Sequence, residues 1–518
     1  VTAFSLWVAS AIYKMHNAAL SAFRCIFYLP VVTGSVAVTV VWKWMYNNYT
    51  GLFNTVLKQA GLIDSNINWL GDSRYALWCI ILILFTTSVG QPIVLYVSAL
   101  GNVDHSLVEA SQVDGATDFQ VFWRIKWPQM MPTTLYILVI TTINSFQCFA
   151  LIQLLTQGGS GTNTVMYYIY YTAFKLTEQT GHFGYANAMG VVLDIFIGIL
   201  SVELGTRQYW VSVAFNILSF LMVLWILPRE DNPSYKISWI ILILLALAFL
   251  FPLYWIVTGA FKNGVDINNT KDIAWVPSEW VLTNFEKLFN KRTAPLFEIF
   301  GIEGPRARAA FRWLLNTVVM AVSAMLLTCI TASMAGYALA KKRFRGRGIL
   351  FALIVCAMAL PKQVILIPLL REMSSLGLYD TIWAVIFPIV GWPFGVFLLK
   401  QFAEGIPTEM TEACRIDGAS EWRTFTDVMF PMIKPGVGAC AIFTFINSWN
   451  DYFMQLIMLT SNKNLTISLG IATMQGESST DYGLLMAGAA LASVPIIIVF
   501  LVFQKYFTKG ITMGAVKG

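Results

Sequence analysis

"EASQVDGATDFQVFWRIKWP", residues 109–128, is a polar, charged island in a chain whose residues are 57% hydrophobic. A second stretch, "EACRIDGASEWRTFTDVMFP" at 412–431, aligns with it without a gap and shares seven of twenty residues: Glu, Ala, Asp, Gly, Ala, Phe and Pro. Ordinary composition gives about one or two matches over that length. The islands are a repeat, and a Gly and a Pro held in register argue against two unrelated polar loops.

Each island predicts a bent pair of short helices. Ser106 and Glu109 have the S-x-x-E spacing of a capping box, and Pro407 suits a first helical position, where its missing N–H costs nothing. Gly115 and Gly418 fit the residue just past a helix end, where a left-handed backbone strains any Cβ. A second short helix is expected to stop at Pro128 or Pro431. Ala110 and Ala413 keep one face narrow, so that a partner's surface can approach closely.

Around the islands the solvent is lipid. Mean hydropathy is +0.65, aromatic residues make up 14% and charged residues 12%, against about a quarter charged in a soluble domain. Apolar runs long enough to cross a bilayer lie at 22–46, 77–100, 134–156, 186–205, 207–227, 237–260, 313–340, 349–370, 382–402, 437–459 and 484–506. The expectation is an all-α polytopic membrane protein with the lipid bilayer as its first partner. Val1 already lies inside an apolar stretch, so the first half is expected to be N-terminally incomplete.

Several chemistries find no support. The seven cysteines have no paired short spacing, which argues against a disulfide framework or a zinc site, and the three histidines are far apart. No metal site or catalytic residue is expected. No GxxxxGK[ST] loop occurs, so the chain has no ATP site of its own. Basic residues gather at membrane edges, as in "KKRFRGRG" at 341–348, and nucleic acid is not an expected partner.

The E-A-x3-D-G-A run with its following Pro resembles the cytoplasmic coupling motif, or EAA motif, of binding-protein-dependent ABC importer permeases. Around the second copy, "SWNDYF" (448–453), "NLTISLG" (464–470) and the ending "KGITMGAVKG" resemble the maltose-type, carbohydrate-uptake branch. Around the first, "FRCIFYLP" (23–30), "INWLG" (67–71) and "ALIQLLTQGG" (150–159) resemble the partner subunit type. The resemblance implies two homologous transmembrane helical bundles of the type I ABC importer kind, each with a coupling-helix loop. One permease half is expected over 1–206, a connecting segment over 207–236 and a second half over 237–518. The two subunit types are usually separate chains, so their union here is a departure.

The resemblance also implies roles. Glu109, Ala110, Asp114 and Gly115, with Glu412, Ala413, Asp417 and Gly418, would meet two separate ATP-binding subunits, which hold the ATP and Mg. An extracytoplasmic sugar-binding protein would deliver the sugar. The chain would be the translocation pore of a bacterial or archaeal cytoplasmic membrane, without covalent chemistry of its own.

If both islands face the cytoplasm, an even number of spans must separate them, yet seven runs do. Counting back from the second island places "KKRFRGRG" inside, as the positive-inside rule asks. Loop 261–312, with eight Lys/Arg and six Asp/Glu, falls outside, as do 48–76 and 158–185. Run 207–227 is left as the segment that does not cross, whether interfacial, re-entrant or a junction. The second half then has six spans.

Polar residues within spans mark a path or interhelical glue. Thr141, Asn144, Ser145 and Cys148 share one helical stripe, and Asn447, Asp451 and Gln455 make another, with Ser448, Asn450 and Tyr452 beside it. Asn, Thr, Gln and Tyr suit sugar hydroxyls and C–H faces. The resemblance adds Thr86 and Gly90, because residues at the matching positions of the maltose-type subunit touch sugar. Ile93 and Cys148 stand where that subunit has larger polar groups, so the contact set differs. The rival expectation is an ion-coupled secondary transporter with internal repeats, whose midplane would carry more charge and would need no islands.

Overall fold

The computed structural model describes residues 1–174, 182–206, 233–269, 273–299, 302–359, 365–391, 393–477 and 481–515. Run 207–227 lies outside the described residues. Among those described, seven helices are long and apolar enough to cross a membrane, and two bent pairs bring the number to nine. These nine match nine of the expected runs. Of the tenth, 349–370, helices Arg347–Ala359 and Leu366–Ser375 are described, and 360–364 lie outside the described residues. The extended strands are short: Thr293–Pro295 pairs with Arg306–Arg308, and Glu298–Ile299 with Ile302–Glu303, inside the loop expected to be external.

Beyond each island the same series of elements follows. In the first half it runs His105–Val113, Asp118–Val121, Trp127–Phe146, Ala150–Leu155, Val165–Phe174 and Phe183–Thr206. In the second it runs Thr408–Ile416, Glu421–Arg423, Phe430–Asn450, Tyr452–Met458, Ile467–Glu477 and Tyr482–Ala515. The repeat seen in twenty residues is thus a repeat of whole bundles.

Two continuous runs are broken. Run 22–46 divides into Asn17–Val32 and Ser35–Met45, which meet at 92°. Pro30 lacks an N–H to donate, Thr33 turns extended, and Gly34 lets the second half approach, since a Cβ there would stand 2.7 Å from the Asn450 Oδ1. Run 77–100 bends by 40° between Ala76–Ser88 and Gly90–Gly101. There a Cβ on Gly90 would lie 2.5 Å from the Phe27 carbonyl oxygen, so only Gly lets the two backbones come this close.

Lipid tails are as apolar as leucine, so packing rather than the hydrophobic effect holds such helices together. Helix Ala309–Lys341 accordingly meets Phe394–Glu404 through small residues. A Cβ on Gly336 would lie 2.8 Å from the Lys400 backbone nitrogen, and one on Gly395 would lie 3.2 Å from the Ala332 Cβ. The halves join through rings and amides. Trp44 stacks on Trp255 at 4.3 Å, Tyr28 on Phe500 at 5.1 Å, and Phe149 meets Phe453 edge-on at 4.7 Å. Each such pair contributes about 0.5–1.5 kcal/mol beyond its area. Asn47 Nδ2 donates to the Tyr482 hydroxyl at 2.9 Å, and Asn450 Nδ2 to the Val32 carbonyl at 2.7 Å.

Candidate functional site: two exposed islands and a polar cavity

The islands form the bent helix pairs that their sequence predicts, with different caps. Asp104, not Ser106, caps His105–Val113: its carboxylate accepts from the Ser106 N–H at 2.9 Å and the Ser106 hydroxyl at 2.7 Å. The carboxylate outcompetes the hydroxyl, so the expected Ser106–Glu109 box does not form. A capping box forms instead at the start of the second short helix, between Thr117 and Gln120. Pro407 is the cap itself rather than the first helical residue.

Gly115 and Gly418 have φ of +80° and +78°, with nothing within 4 Å of a Cβ placed there. The backbone angle, not crowding, is what calls for glycine. Around each, two reverse bonds close the helix: Ala116 N–H to Ser111 O and Gly115 N–H to Gln112 O, then Ala419 to Cys414 and Gly418 to Arg415. This is a Schellman ending in both copies.

Pro128 and Pro431 do not stop the second short helix. They sit in the first turn of the long helices Trp127–Phe146 and Phe430–Asn450. A π-helical turn precedes each, Phe122–Lys126 and Thr424–Met429, with Trp127 N–H reaching Phe122 O and Phe430 N–H reaching Phe425 O. The widened turn lets a proline pass without breaking the helix.

Glu109, Ala110, Asp114, Gly115, Glu412, Ala413, Asp417 and Gly418 are all exposed. Beside them stand two residues that the sequence reading passed over. Val113 is 88% exposed and Ile416 87%, the two most exposed large apolar side chains among the described residues, and both are 303 residues apart like the islands themselves. The alignment of the copies carried that signal. The second island is also braced: Glu421 accepts from Arg415 at 3.0 Å, from the Tyr337 hydroxyl at 3.2 Å and from Lys342.

Between the first half's helices lies a cavity of about 120 Å³. Its polar lining is Thr87, Ser88, Gln91, Tyr136, Thr141 and Asn144. Val31, Pro92, Leu95, Ile137 and Ile140 complete the wall. Thr141 and Asn144 therefore come together with Ala76–Ser88 and Gly90–Gly101, as neighbouring turns of one helix facing the break between two others. Thr86 is outside the lining and back-bonds to Ile83 O at 2.8 Å. Gly90 packs on Phe27, Ser145 back-bonds to Thr141 O at 2.8 Å, and Cys148 lies past the helix end at Phe146.

The second stripe is not one stripe. Helix Phe430–Asn450 ends before Asp451, whose carboxylate caps Tyr452–Met458 through the Met454 N–H at 3.3 Å. The reset at Asp451 takes Gln455 out of register with Asn447. Asn447 is exposed, like Asn144 at the matching place, Asn450 joins the halves, and Tyr452 is buried. A longer reach of the repeat went unread: "TTINSF" at 141–146 returns as "TFINSW" at 444–449, again 303 residues on.

Carried across by that spacing, most of the lining residues are not repeated. Thr87, Ser88 and Gln91 become Val390, Gly391 and Phe394, and Ile140 becomes Phe443. The rings of Phe394 and Phe443 lie 4.9 Å apart where the first half keeps Gln91 and Ile140.

The geometry defines a multi-pass membrane protein made of two like helical bundles, each presenting one exposed, bent helix pair. Sequence comparison gives the class its family. The profile described as "Binding-protein-dependent transport system inner membrane component" matches residues 3–207 and again 308–513, and the chain belongs to that family, carrying its unit twice. The arabinooligosaccharides transport system permease protein AraQ of Halalkalibacterium halodurans is 33% identical over 296 residues, 56% of this chain and 100% of that protein. The maltodextrin transport system permease protein MdxG of Bacillus subtilis is 29% identical over 54% of this chain and 95% of its own length. The lactose transport system permease protein LacG of Rhizobium radiobacter is 28% identical over 54% and 96%. One solved relative is a bacterial ABC transporter involved in import of the acidic polysaccharide alginate, at 21% identity and a TM-score of 0.46, covering 54% of this chain and 98% of that one.

Proposed function

We propose that this chain is the translocation path of an ATP-driven importer of sugars or oligosaccharides in a bacterial or archaeal cytoplasmic membrane. Two separate ATP-binding subunits, holding ATP and Mg, seat on the two islands, and an extracytoplasmic sugar-binding protein delivers the cargo. Closure of the ATPases moves both islands, and the bundles exchange an outward-open path for an inward-open one. The cargo passes through the first half's cavity, where Thr141 and Asn144 hydrogen-bond its hydroxyls.

The observation that carries this reading is the pair of exposed apolar tips, Val113 and Ile416, at matching places on two exposed helices. A protruding apolar side chain in water costs free energy unless a partner's groove covers it. Membership of a family named for binding-protein-dependent transport supports the importer class over an ion-coupled carrier. So do relatives named for arabinooligosaccharide, maltodextrin and lactose transport.

Co-expression with the candidate ATPase subunits tests the docking. Val113→Asp together with Ile416→Asp should leave the chain folded in the membrane and remove the ATPase from the purified complex. Unchanged co-purification and sugar-stimulated ATP hydrolysis would end this reading.

A further inference from the structure

The turn that joins helices Ala309–Lys341 and Arg347–Ala359 falls on the cytoplasmic side by the count from the islands, and it is crowded with positive charge. Lys341, Lys342, Arg343, Arg345 and Arg347 come from the turn and its ends, and Lys400 reaches it from helix Phe394–Glu404, over the Phe351 ring at 3.9 Å. Two carboxylates bond to this group. Glu404 accepts from Lys400 at 2.6 Å and lies 3.9 Å from Arg347, while Glu421 holds Lys342 and Arg415. Glu409 is within electrostatic reach of Lys341, whose ammonium donates to the Ile406 carbonyl.

Both bonded carboxylates are thus engaged elsewhere. Arg343 and Arg345 are exposed, and among the described residues their side chains have no hydrogen bond or ion pair. Between them Phe344 is 44% exposed. Four residues apart on one face of the next helix, Ile349 is 71% exposed and Leu353 62%. The free charge therefore adjoins an apolar surface that continues along a helix of the bundle. In the first half, the turn between Thr2–Tyr13 and Asn17–Val32 is Lys14, Met15 and His16, with one lysine and no arginine.

A guanidinium matches a phosphate with two parallel hydrogen bonds, and free cations at a membrane edge attract an anionic leaflet. An acidic protein surface matches the charge but not the apolar face beside it. A phospholipid carries both. We infer that this corner of the second half binds an anionic phospholipid of the cytoplasmic leaflet, with Arg343 and Arg345 on the headgroup phosphate and an acyl chain along Ile349 and Leu353.

The test uses the full chain, purified with whatever subunits accompany it, in nanodiscs of phosphatidylcholine and phosphatidylglycerol in equal parts. Native mass spectrometry then records which lipid stays bound on release. The parent chain should retain phosphatidylglycerol in preference. Arg343→Gln with Arg345→Gln should lower that preference about tenfold, the scale of removing two cations from an anionic surface. Arg343→Lys with Arg345→Lys, which keeps the charge, should retain most of it. Equal retention of both lipids by the parent overturns the inference, whether or not the variants fold. So does an unchanged preference in the glutamine pair. Displacement of the lipid by inorganic phosphate would mean a site for the free ion and would overturn the lipid assignment. Hydrogen exchange at 343–346 that slows only when ATP-binding subunits are added would also overturn it, marking the arginines as a protein contact.

Discussion

Two sites 303 residues apart began from one design and now differ. Both halves carry T-x-I-N-S on the helix that leaves the island, and in the first a cavity lies beside it, lined mostly by residues that the second does not repeat. In the first half, Gln91 and Ile140 stand off from one another across a cavity. In the second, the rings of Phe394 and Phe443 meet 4.9 Å apart at the matching places. Duplication kept what both halves need, the exposed Val113 and Ile416 and the left-handed Gly115 and Gly418. It let the cavity lining diverge, and on the importer reading a single path needs one place to hold its cargo.

The sharpest way to break that contrast is to give the first half the second half's filling. Gln91→Phe with Ile140→Phe should abolish transport, by more than a hundredfold, while ATPase subunits still co-purify. Normal uptake would show that the cavity is not on the path. The converse change, Phe394→Ala, removes a partly buried ring and should destabilise the second half by less than the roughly 3–5 kcal/mol of a fully buried Phe truncation. Transport per folded complex should survive, as thermal unfolding and uptake measured on the same preparation would show.

The islands invite a matched pair. Gly115→Val and Gly418→Val force a β-branched residue to positive φ, at a cost of about 1–3 kcal/mol each. Both should loosen the link between ATP hydrolysis and sugar uptake to a similar degree, and a large effect from only one would mean that the halves are not equally coupled.

A smaller effect concerns the second half's outer loops. Asp380 Oδ1 accepts N–H groups of Thr460 and Ser461 at 2.8 and 3.0 Å. Partial burial opposes its charge, but hydrogen bonds from Ser461, Thr460 and Asn464 outweigh that and hold its pKa below the ordinary carboxylate value. A depressed folded pKa means stability present above the unfolded pKa and lost as pH falls through the folded one. Asp380→Asn should therefore cost about 0.5–1.5 kcal/mol near pH 7, as for one hydrogen bond, and flatten the decline of stability below about pH 4.

Much of the fold was legible because membrane helices announce themselves locally. A run of about twenty apolar residues has few other readings, and the Glu-to-Gly spacing set the islands' turns correctly. What the sequence hid was tertiary. The 92° bend at Thr33 and Gly34 depends on a partner, Asn450, more than four hundred residues away. Helical spacing carried the second stripe through Asp451 because periodicity cannot see a residue that caps a new helix. The cavity was half legible: Thr141 and Asn144 lie on one helix and could be read together. Thr87, Ser88 and Gln91 face them from two others, and only the contrast with Val390, Gly391 and Phe394 marks them out.

The most direct test compares two asparagines at one place in the repeat. Asn144→Leu and Asn447→Leu should be measured side by side as sugar uptake per folded complex. Losing a partner for a buried sugar hydroxyl costs about 1–3 kcal/mol, so Asn144→Leu should weaken uptake by about 5- to 150-fold. For Asn447→Leu uptake should stay within about threefold, the scale of an interhelical bond worth roughly 0.6 kcal/mol. Equal losses, or a larger loss at Asn447, would contradict a cargo site confined to the first half.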